Sequence, residues 1–265
     1  MRVKTPLPSN KVAQSSLSKG LALLTAVAEK GSEGINLSEA STKAGINIST
    51  AYRLLNALVE ENFISLDPYS KFYHLGLMPY EIVERAGSDV AFLELRRKLH
   101  PTLLAIQEEV DGIVCLSVPS RGESLCIDLV SGSSHITINT LKIGARRPLG
   151  VGAASLALLA SLSDEEREKV IISEAERYLR YGCMTAEIAR DAVSLLDSQG
   201  YVFNDAYVIP DIGAIALPLF SENSLIGAIS VTTTISRLSK ERRKQIAAMI
   251  CAAVKREGMQ VKRRR

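Results

Sequence analysis

The chain has 265 residues, of which 46% are hydrophobic and 23% are charged. This length favours two domains, and the apolar content is sufficient for a buried core in each. No run of about eighteen apolar residues is present, which excludes a membrane-spanning helix. The polar stretch MRVKTPLPSNKVAQSS lacks the apolar segment of a secretory signal, so we expect a soluble protein of the cytoplasm.

Charge is distributed unevenly along the chain, although the net charge is only +3. Residues 1–78 carry +2 and residues 237–265 carry +9, which leaves −8 for the middle. This pattern predicts that a polyanion contacts the basic ends and the first domain rather than the middle. For the basic tail, 259–265, solvated charge without a partner is the alternative interpretation.

The first part of the chain predicts three helices. From Ser16 onward, apolar residues recur at helical spacing. A second, short helix is expected at about 38–44, with Ser38 capping its exposed N–H groups. A third helix begins after Asn47 or Ser49, either of which can cap it, and has a well-defined apolar stripe. The tight glycine-containing turn between the second and third helices is typical of a helix-turn-helix.

Two short β-prone runs follow the third helix. Residues 63–66 and 71–75 flank the turn sequence Asp-Pro-Tyr-Ser. They predict a β-hairpin wing, which completes a winged helix-turn-helix domain over 14–78.

Residues 77–110 are expected to form a helical connector with a second apolar face. An interruption near Gly87 separates the linker, 79–91, from the rest, and Pro101 predicts a kink or a break. The apolar face of this connector is a candidate surface for the meeting of two chains.

The second domain, 92–258, is predicted to be α+β. Its β-branched runs are at 113–118, 124–130, 135–141, 201–204, 212–220 and 225–233. Its helices are expected at 153–161, after a capping box at Ser163, at 186–198 and from Ser239 onward. Strands, then helices, then strands indicate one antiparallel sheet flanked by helices.

The polar side of the third helix is a candidate DNA-binding surface. It carries Asn47, Ser49, Thr50, Tyr52, Arg53 and Asn56. These residue types contact base edges and phosphates when a recognition helix enters the major groove of double-stranded DNA. Arg53 and Lys43 are candidate phosphate contacts, and Lys71 and Tyr73 of the wing are expected beside the sugar-phosphate backbone. A merely solvated helix face is the alternative.

Motifs in the expected order resemble the IclR family of bacterial transcription regulators. They are YRLLNAL in the third helix, YHLG at the end of the wing, RRPLGVGAASLALLASL, and the closing segments GYVFNDAYVIPDIGAIALPLF and IGAISVTTTISRLSKER. The resemblance covers nearly the whole chain and implies a GAF-like second domain that binds an effector. Asp211, where the family usually has glycine, and Tyr207, where an acidic residue is common, depart from the pattern and leave the ligand open.

The segment 146–155 is a glycine-rich loop that leads into a helix. The first N–H groups of a helix lack intrahelical partners and bind carboxylates, and a neighbouring arginine can pair with one bidentately. The alternative is a loop that only starts a buried helix. The resemblance implies an effector pocket formed by Asn139, Arg147, Ala153, Ala154, Asn204, Ile212, Ala214, Ser230 and Thr232. The expected ligand is a small, aromatic or short-chain, carboxylate effector.

Other functions have less support in the sequence. An enzyme would require Cys115 or Cys126 to meet His135, and no nucleophile elbow, phosphate loop or metal-spaced pair is present. The four cysteines are at least eleven positions apart and are expected to be reduced and mostly buried. We therefore expect no catalytic residue, no cofactor and no metal.

A second alternative keeps the fold and makes the second domain a dimerisation module without a ligand. In either case we expect a homodimer, or a dimer of two dimers, because helix-turn-helix proteins of this size contact two half-sites.

Overall fold

The computed structural model describes residues 15–87, 91–132 and 141–261, which form two compact units that divide between positions 90 and 91. The first unit contains α1 (Ser16–Lys30), α2 (Leu37–Ala44), α3 (Ile48–Glu60), β1 (Ile64–Leu66), β2 (Tyr73–Leu75) and α4 (Met78–Ala86). The second contains α5 (Ala91–Val110), β3 (Ile113–Ser120), β4 (Glu123–Ser131), β5 (Arg146–Pro148), α6 (Ala153–Ala160), α7 (Asp164–Tyr178), α8 (Ala186–Gln199), β6 (Val202–Ile209), β7 (Ile212–Ser221), β8 (Ser224–Thr234) and α9 (Lys240–Arg256). Every helix among these residues is too short or too polar to span a lipid bilayer.

The helix-turn-helix is held by asparagine caps. Asn47 caps α3, because its Oδ1 accepts a hydrogen bond from the N–H of Thr50 at 2.9 Å. The expected cap of α2, Ser38, is wrong: α2 begins at Leu37, and Asn36 Oδ1 accepts from the N–H of Glu39 at 2.9 Å. Between the helices, Gly45 is left-handed with φ of 65°, as the tight turn requires.

The core of the first unit buries only part of the apolar side chains of α1. Leu23 and Val27 are fully buried, whereas Leu17 is 72% exposed. In the wing, β1 and β2 pair antiparallel. The backbone of Tyr73 also exchanges two hydrogen bonds with that of Ile35, at 2.8 and 3.0 Å, so the segment before α2 joins the wing.

The connector consists of two helices with different surroundings. α4 ends at Ala86, as the interruption near Gly87 predicts. Of the kink or break expected at Pro101, the break does not occur, because α5 continues through this residue. Proline removes one N–H donor, and the packing of Leu99 and Leu103, both fully buried, keeps the helix continuous across it. Leu99, Leu103 and Ile106 of the predicted apolar face therefore lie in the core of the second unit, whereas Phe92 near the start of α5 is 44% exposed.

The second unit is built on a six-stranded sheet of order β5-β4-β3-β8-β7-β6, in which every neighbouring pair is antiparallel. α5 and α9 pack on one face of this sheet, while α6, α7 and α8 pack on the other. The predicted α+β class is therefore confirmed. The run expected at 135–141 lies almost entirely outside the described residues.

Two helix starts in this unit follow the predicted chemistry. Ser163 and Glu166 form the capping box of α7, in which each side chain meets the backbone N–H of the other residue. Ser239 caps α9 by accepting from the N–H of Arg242 at 3.2 Å.

A bulge between β3 and β4 determines which residues of β4 face α6. Leu116 is opposite Asp128, whereas the next residue, Ser117, is opposite Cys126, so β4 contains one extra residue. As a result Cys126 lines the cavity on the α6 side. Asp128 instead meets α5, where its Oδ2 lies 2.8 Å from Nδ1 of His100.

Candidate functional site

The exposed side of α3 carries most of the predicted DNA contacts. Asn47, Ser49, Tyr52 and Arg53 are exposed, and Thr50 and Asn56 are half-buried. Ser49 Oγ donates to Asn47 Oδ1 at 3.0 Å, so the first turn of α3 is ordered by its own side chains. The helix N-terminus adds partial positive charge at the same place. This face can therefore offer hydrogen bonds, a cation and a helix dipole to a phosphate backbone.

The basic residues around this face differ in their surroundings. Nζ of Lys43 lies 2.6 Å from Oε2 of Glu29, so a carboxylate partly neutralises its charge. Lys71 is exposed at the end of the wing turn. At the tip of that turn the N–H groups of Tyr69 and Ser70 donate to Asp67 Oδ1 and lower the pKa of its carboxyl.

Tyr73, expected beside the sugar-phosphate backbone, lies in the interior of the first unit. Its side chain is 3% exposed and packs in the core of the first unit, because β2 turns this face of the wing toward α1. Tyr69, which was not among the predicted DNA contacts, is 94% exposed at the tip of the wing and is a further candidate. Its position inside the turn sequence is the signal that could have identified it.

One cavity of the second unit collects the predicted effector residues. Its described lining includes Arg147, Ala153, Ala154, Asn204, Ile212, Ala214, Ser230 and Thr232. Asn139, the remaining predicted residue, lies outside the described residues, as does His135. The cavity has a volume of about 60 Å³. Since a cavity needs roughly 10–15 Å³ to hold one water molecule, the space suits a small molecule.

The floor of the cavity is formed by cross-strand rows of the central strands. Thr232 of β8 lies between Ile113 of β3 and Ala214 of β7. Ser230, two residues earlier on β8, is opposite Cys115. Residues two apart on a strand share one face, so the hydroxyls of Ser230 and Thr232 face the same space.

The start of α6 forms another wall. Its N-cap, Gly152, has φ of 84° and no side chain that could cap the first N–H groups of the helix. Ser155 Oγ donates to the carbonyl of Pro148 at 2.7 Å, and Tyr178 Oη donates to that of Leu149 at 2.7 Å. These bonds fix the loop, while the first N–H groups of α6 remain oriented for an anion.

Arg147 brings positive charge into the cavity. Burial lowers the pKa of its guanidinium, which still remains protonated at neutral pH. The guanidinium lies 6.0 Å from the centre of the Tyr181 ring, within range of a cation–π contact. The neighbouring Arg146 is directed elsewhere, since its guanidinium donates to Oγ and to the carbonyl oxygen of Ser120 at 2.9 and 3.0 Å.

Asn204 is buried at the edge of the cavity and has a structural task of its own. Its Oδ1 accepts a hydrogen bond from the N–H of Tyr207 at 3.2 Å. The side-chain NH₂ group is therefore the part of Asn204 that can donate to a ligand.

Five polar residues of the described lining were not among the predicted effector contacts: Cys115, Ser117, Ser124, Cys126 and Ser155. Alternation along IVCLSV places Cys115 and Ser117 on one face of β3 and could have identified them. For Cys126, the bulge at β4 obscures the same signal. Cys183 and Cys251 are exposed, contrary to the expectation of mostly buried thiols.

The chain matches two known sequence families. The model of the bacterial transcriptional regulator IclR C-terminal domain matches residues 88–256, and that of the IclR helix-turn-helix domain matches residues 16–68. The transcriptional repressor IclR of Escherichia coli is 27% identical over 247 residues, which are 91% of this chain and 87% of that protein. The acetate operon repressor of Salmonella typhimurium is 25% identical over 247 residues, which again are 91% of this chain and 87% of that protein.

Solved structures show the same fold. The IclR transcriptional regulator of Alicyclobacillus acidocaldarius has a TM-score of 0.75 at 19% identity, covering 91% of this chain and 96% of that one. An IclR homologue of Microbacterium hydrocarbonoxydans, crystallised with 4-hydroxybenzoate, has a TM-score of 0.71 at 23% identity, covering 89% and 99%. With the C-terminal family model alone matching more than half of its length, the chain belongs to the IclR family of DNA-binding transcriptional regulators with a C-terminal effector-binding domain.

Proposed function

We propose that the winged helix-turn-helix, 14–78, binds a specific operator and that a small carboxylic acid in the cavity of the domain 92–258 modulates this binding. Residues 79–91 link the two domains in this proposal. The observation that carries it is the convergence of Arg147, the uncapped start of α6 and the hydroxyls of Ser230 and Thr232 in one cavity.

The chemistry of the cavity favours an anion. Arginine pairs with a carboxylate through two parallel hydrogen bonds, and helix N–H groups and hydroxyls can donate to the same oxygens. None of the described lining residues is acidic, so nothing among them repels a negative charge. The 4-hydroxybenzoate bound by the Microbacterium hydrocarbonoxydans homologue is an acid of this class. A domain that served dimerisation only would not need buried polar groups around a cavity, so these groups favour a ligand-binding role.

The proposal is tested by a mobility-shift assay on the DNA upstream of the gene, with and without a panel of small aromatic and short-chain acids. We expect a sequence-specific shift that one class of acid alters. Arg147→Ala should weaken that acid's binding by roughly tenfold or more, because a charged hydrogen-bonding partner contributes about 1.5–3 kcal/mol. Calorimetry measures the binding, and Arg146→Ala is the matched control.

Three outcomes would each contradict a different part of the proposal. Operator binding that no acid changes, together with a flat calorimetric titration, would leave the second domain without a small-molecule role. Acid binding that Arg147→Ala and Arg146→Ala weaken equally would place the carboxylate elsewhere. A shift that is the same on unrelated DNA would remove operator specificity.

We also propose that the regulator is a homodimer, which can pair into a dimer of dimers. The first unit exposes apolar side chains on α1 and α4, namely Leu17, Leu21, Tyr80, Ile82 and Val83. Apolar surface of this kind is covered in protein–protein contacts more often than elsewhere. Sedimentation velocity should give a dimer that Leu17→Glu with Leu21→Glu dissociates. Ile172→Glu, at an exposed apolar position of α7, is the control that should leave it intact.

A further inference from the structure

The cavity of the second unit is small, and its apolar walls are aliphatic. Its volume is about 60 Å³, whereas a cavity that binds benzene measures about 150 Å³. The apolar side chains of its described lining are those of isoleucine, leucine, valine and alanine, and none of them is aromatic. Aromatic walls would add favourable ring contacts with an aromatic ligand. The space and the walls therefore fit a short aliphatic chain better than an aromatic ring.

Two buried serines of the lining have hydroxyls that are available to a ligand. Ser117 of β3 is 1% exposed and Ser124 of β4 is 5% exposed, and both line the cavity. Neither hydroxyl has a hydrogen bond to another described residue, whereas Ser155 Oγ donates to the carbonyl of Pro148. Burial of a hydroxyl without a hydrogen-bond partner is unfavourable, so these two serines require a partner inside the cavity.

The strand register places these serines beside the cationic part of the cavity. Ser124 is directly opposite Arg147 of β5, and Ser117 lies on β3, the next strand of the sheet. The guanidinium reaches the start of α6, since its Nη1 lies 3.7 Å from the position that a Cβ on Gly152 would take. Neighbouring strands are about 4.8 Å apart. A ligand whose carboxylate is bound there would therefore bring its next carbon atoms close to the two serines.

We propose that the effector is a short aliphatic hydroxy acid, of about three or four carbon atoms, whose hydroxyl groups bind Ser117 and Ser124. This inference rests on the proposed function of the cavity and narrows the class of carboxylic acid that it binds. A serine hydroxyl both donates and accepts, so it can pair with a ligand hydroxyl in either direction. An acid without hydroxyls leaves both serines unpaired in the complex, and the site discriminates against it for that reason.

A series of matched acids tests the ligand class. Propionate, lactate and glycerate share a three-carbon skeleton and carry no hydroxyl, one hydroxyl and two hydroxyls, while benzoate and 4-hydroxybenzoate carry an aromatic ring. Calorimetry on the full-length chain should show that affinity rises by about fivefold with each hydroxyl of the three-carbon series. Both aromatic acids should bind at least tenfold more weakly than glycerate, because the ring exceeds the space in the cavity.

Single variants then assign the hydroxyl contacts. Ser117→Ala and Ser124→Ala should each weaken glycerate binding by about fivefold, and this loss should be at least three times larger than the loss of propionate binding. A variant that merely disturbs the sheet would weaken both acids equally. Ser194→Ala, at an exposed position of α8, is the control that should alter neither affinity. Arg147→Ala should weaken all of the acids, since they share the carboxylate.

The outcomes separate this inference from the proposed function. Equal affinity for propionate and glycerate, tighter binding of benzoate than of glycerate, or equal losses of both three-carbon acids in the serine variants would overturn the hydroxy acid. Each of these results would still leave a carboxylate bound in the cavity. If none of the five acids bound, the result would contradict the proposed function and this inference with it.

Discussion

The two polar sites of this chain differ in the exposure of the groups that form them. On α3, Tyr52 and Arg53 are exposed and water already satisfies them, so their position alone does not indicate a partner. In the second unit, Ser230 and Asn204 are buried around a cavity, where polar groups are costly unless they are hydrogen-bonded. Buried polarity therefore indicates a ligand more strongly than an equally polar surface indicates DNA.

The largest effect is expected within the wing, where two tyrosines four positions apart have opposite surroundings. Tyr73→Ala should lower the free energy of unfolding of the first unit by about 3–5 kcal/mol, because it empties a packed aromatic site. Tyr69→Ala should change it by less than about 0.5 kcal/mol. Urea unfolding measures both. Tyr73→Phe keeps the ring and should restore most of the loss. If the Tyr73→Ala chain were as stable as the wild type but bound the operator more weakly, the result would mean that Tyr73 contacts DNA.

A smaller effect is expected on the exposed face of α3. Arg53→Ala should weaken operator binding by about tenfold. It should also reduce, by about one, the magnitude of the slope in a plot of log affinity against log salt concentration. Fluorescence anisotropy at several salt concentrations measures both quantities. Lys255→Ala, an exposed charge on α9, should change neither of them. An unchanged salt slope in Arg53→Ala would mean that this face is only solvated.

Elements defined by local chemistry could be predicted from the sequence, and those defined by tertiary packing could not. The capping box at Ser163 and the shared face of Ser230 and Thr232 follow from spacing alone. The buried side of α1, the burial of Tyr73 and the continuity of α5 at Pro101 depend on what packs against them. The bulge before Asp128 has no signal in the local sequence, which is why the second thiol of the cavity was missed.

In the cavity, the effect of one neutral hydroxyl is expected to be smaller than that of a charge. Ser230→Ala should weaken acid binding about fivefold, which corresponds to the roughly 1 kcal/mol of a neutral hydrogen bond. Thr233→Val is the matched control, because Thr233 is buried on the opposite face of β8, where its Oγ1 donates to the carbonyl of Asp111. Calorimetry with the acid found in the mobility-shift assay measures both variants. Equal losses would show that β8 is perturbed rather than that a ligand contact is removed.

The smallest effect distinguishes two candidate caps of α2. The side chain of Asn36 satisfies the N–H of Glu39, whereas Ser38 lies inside the helix, where its hydroxyl is not needed for capping. Asn36→Ala should therefore lower the free energy of unfolding by about 0.5–1 kcal/mol, and Ser38→Ala should leave it nearly unchanged. Asn36→Asp, which keeps the capping oxygen, should retain the wild-type value. If Ser38→Ala lowered the free energy of unfolding instead, α2 would start later than Leu37. Because α2 supports α3, the recognition helix would then be positioned by a different turn.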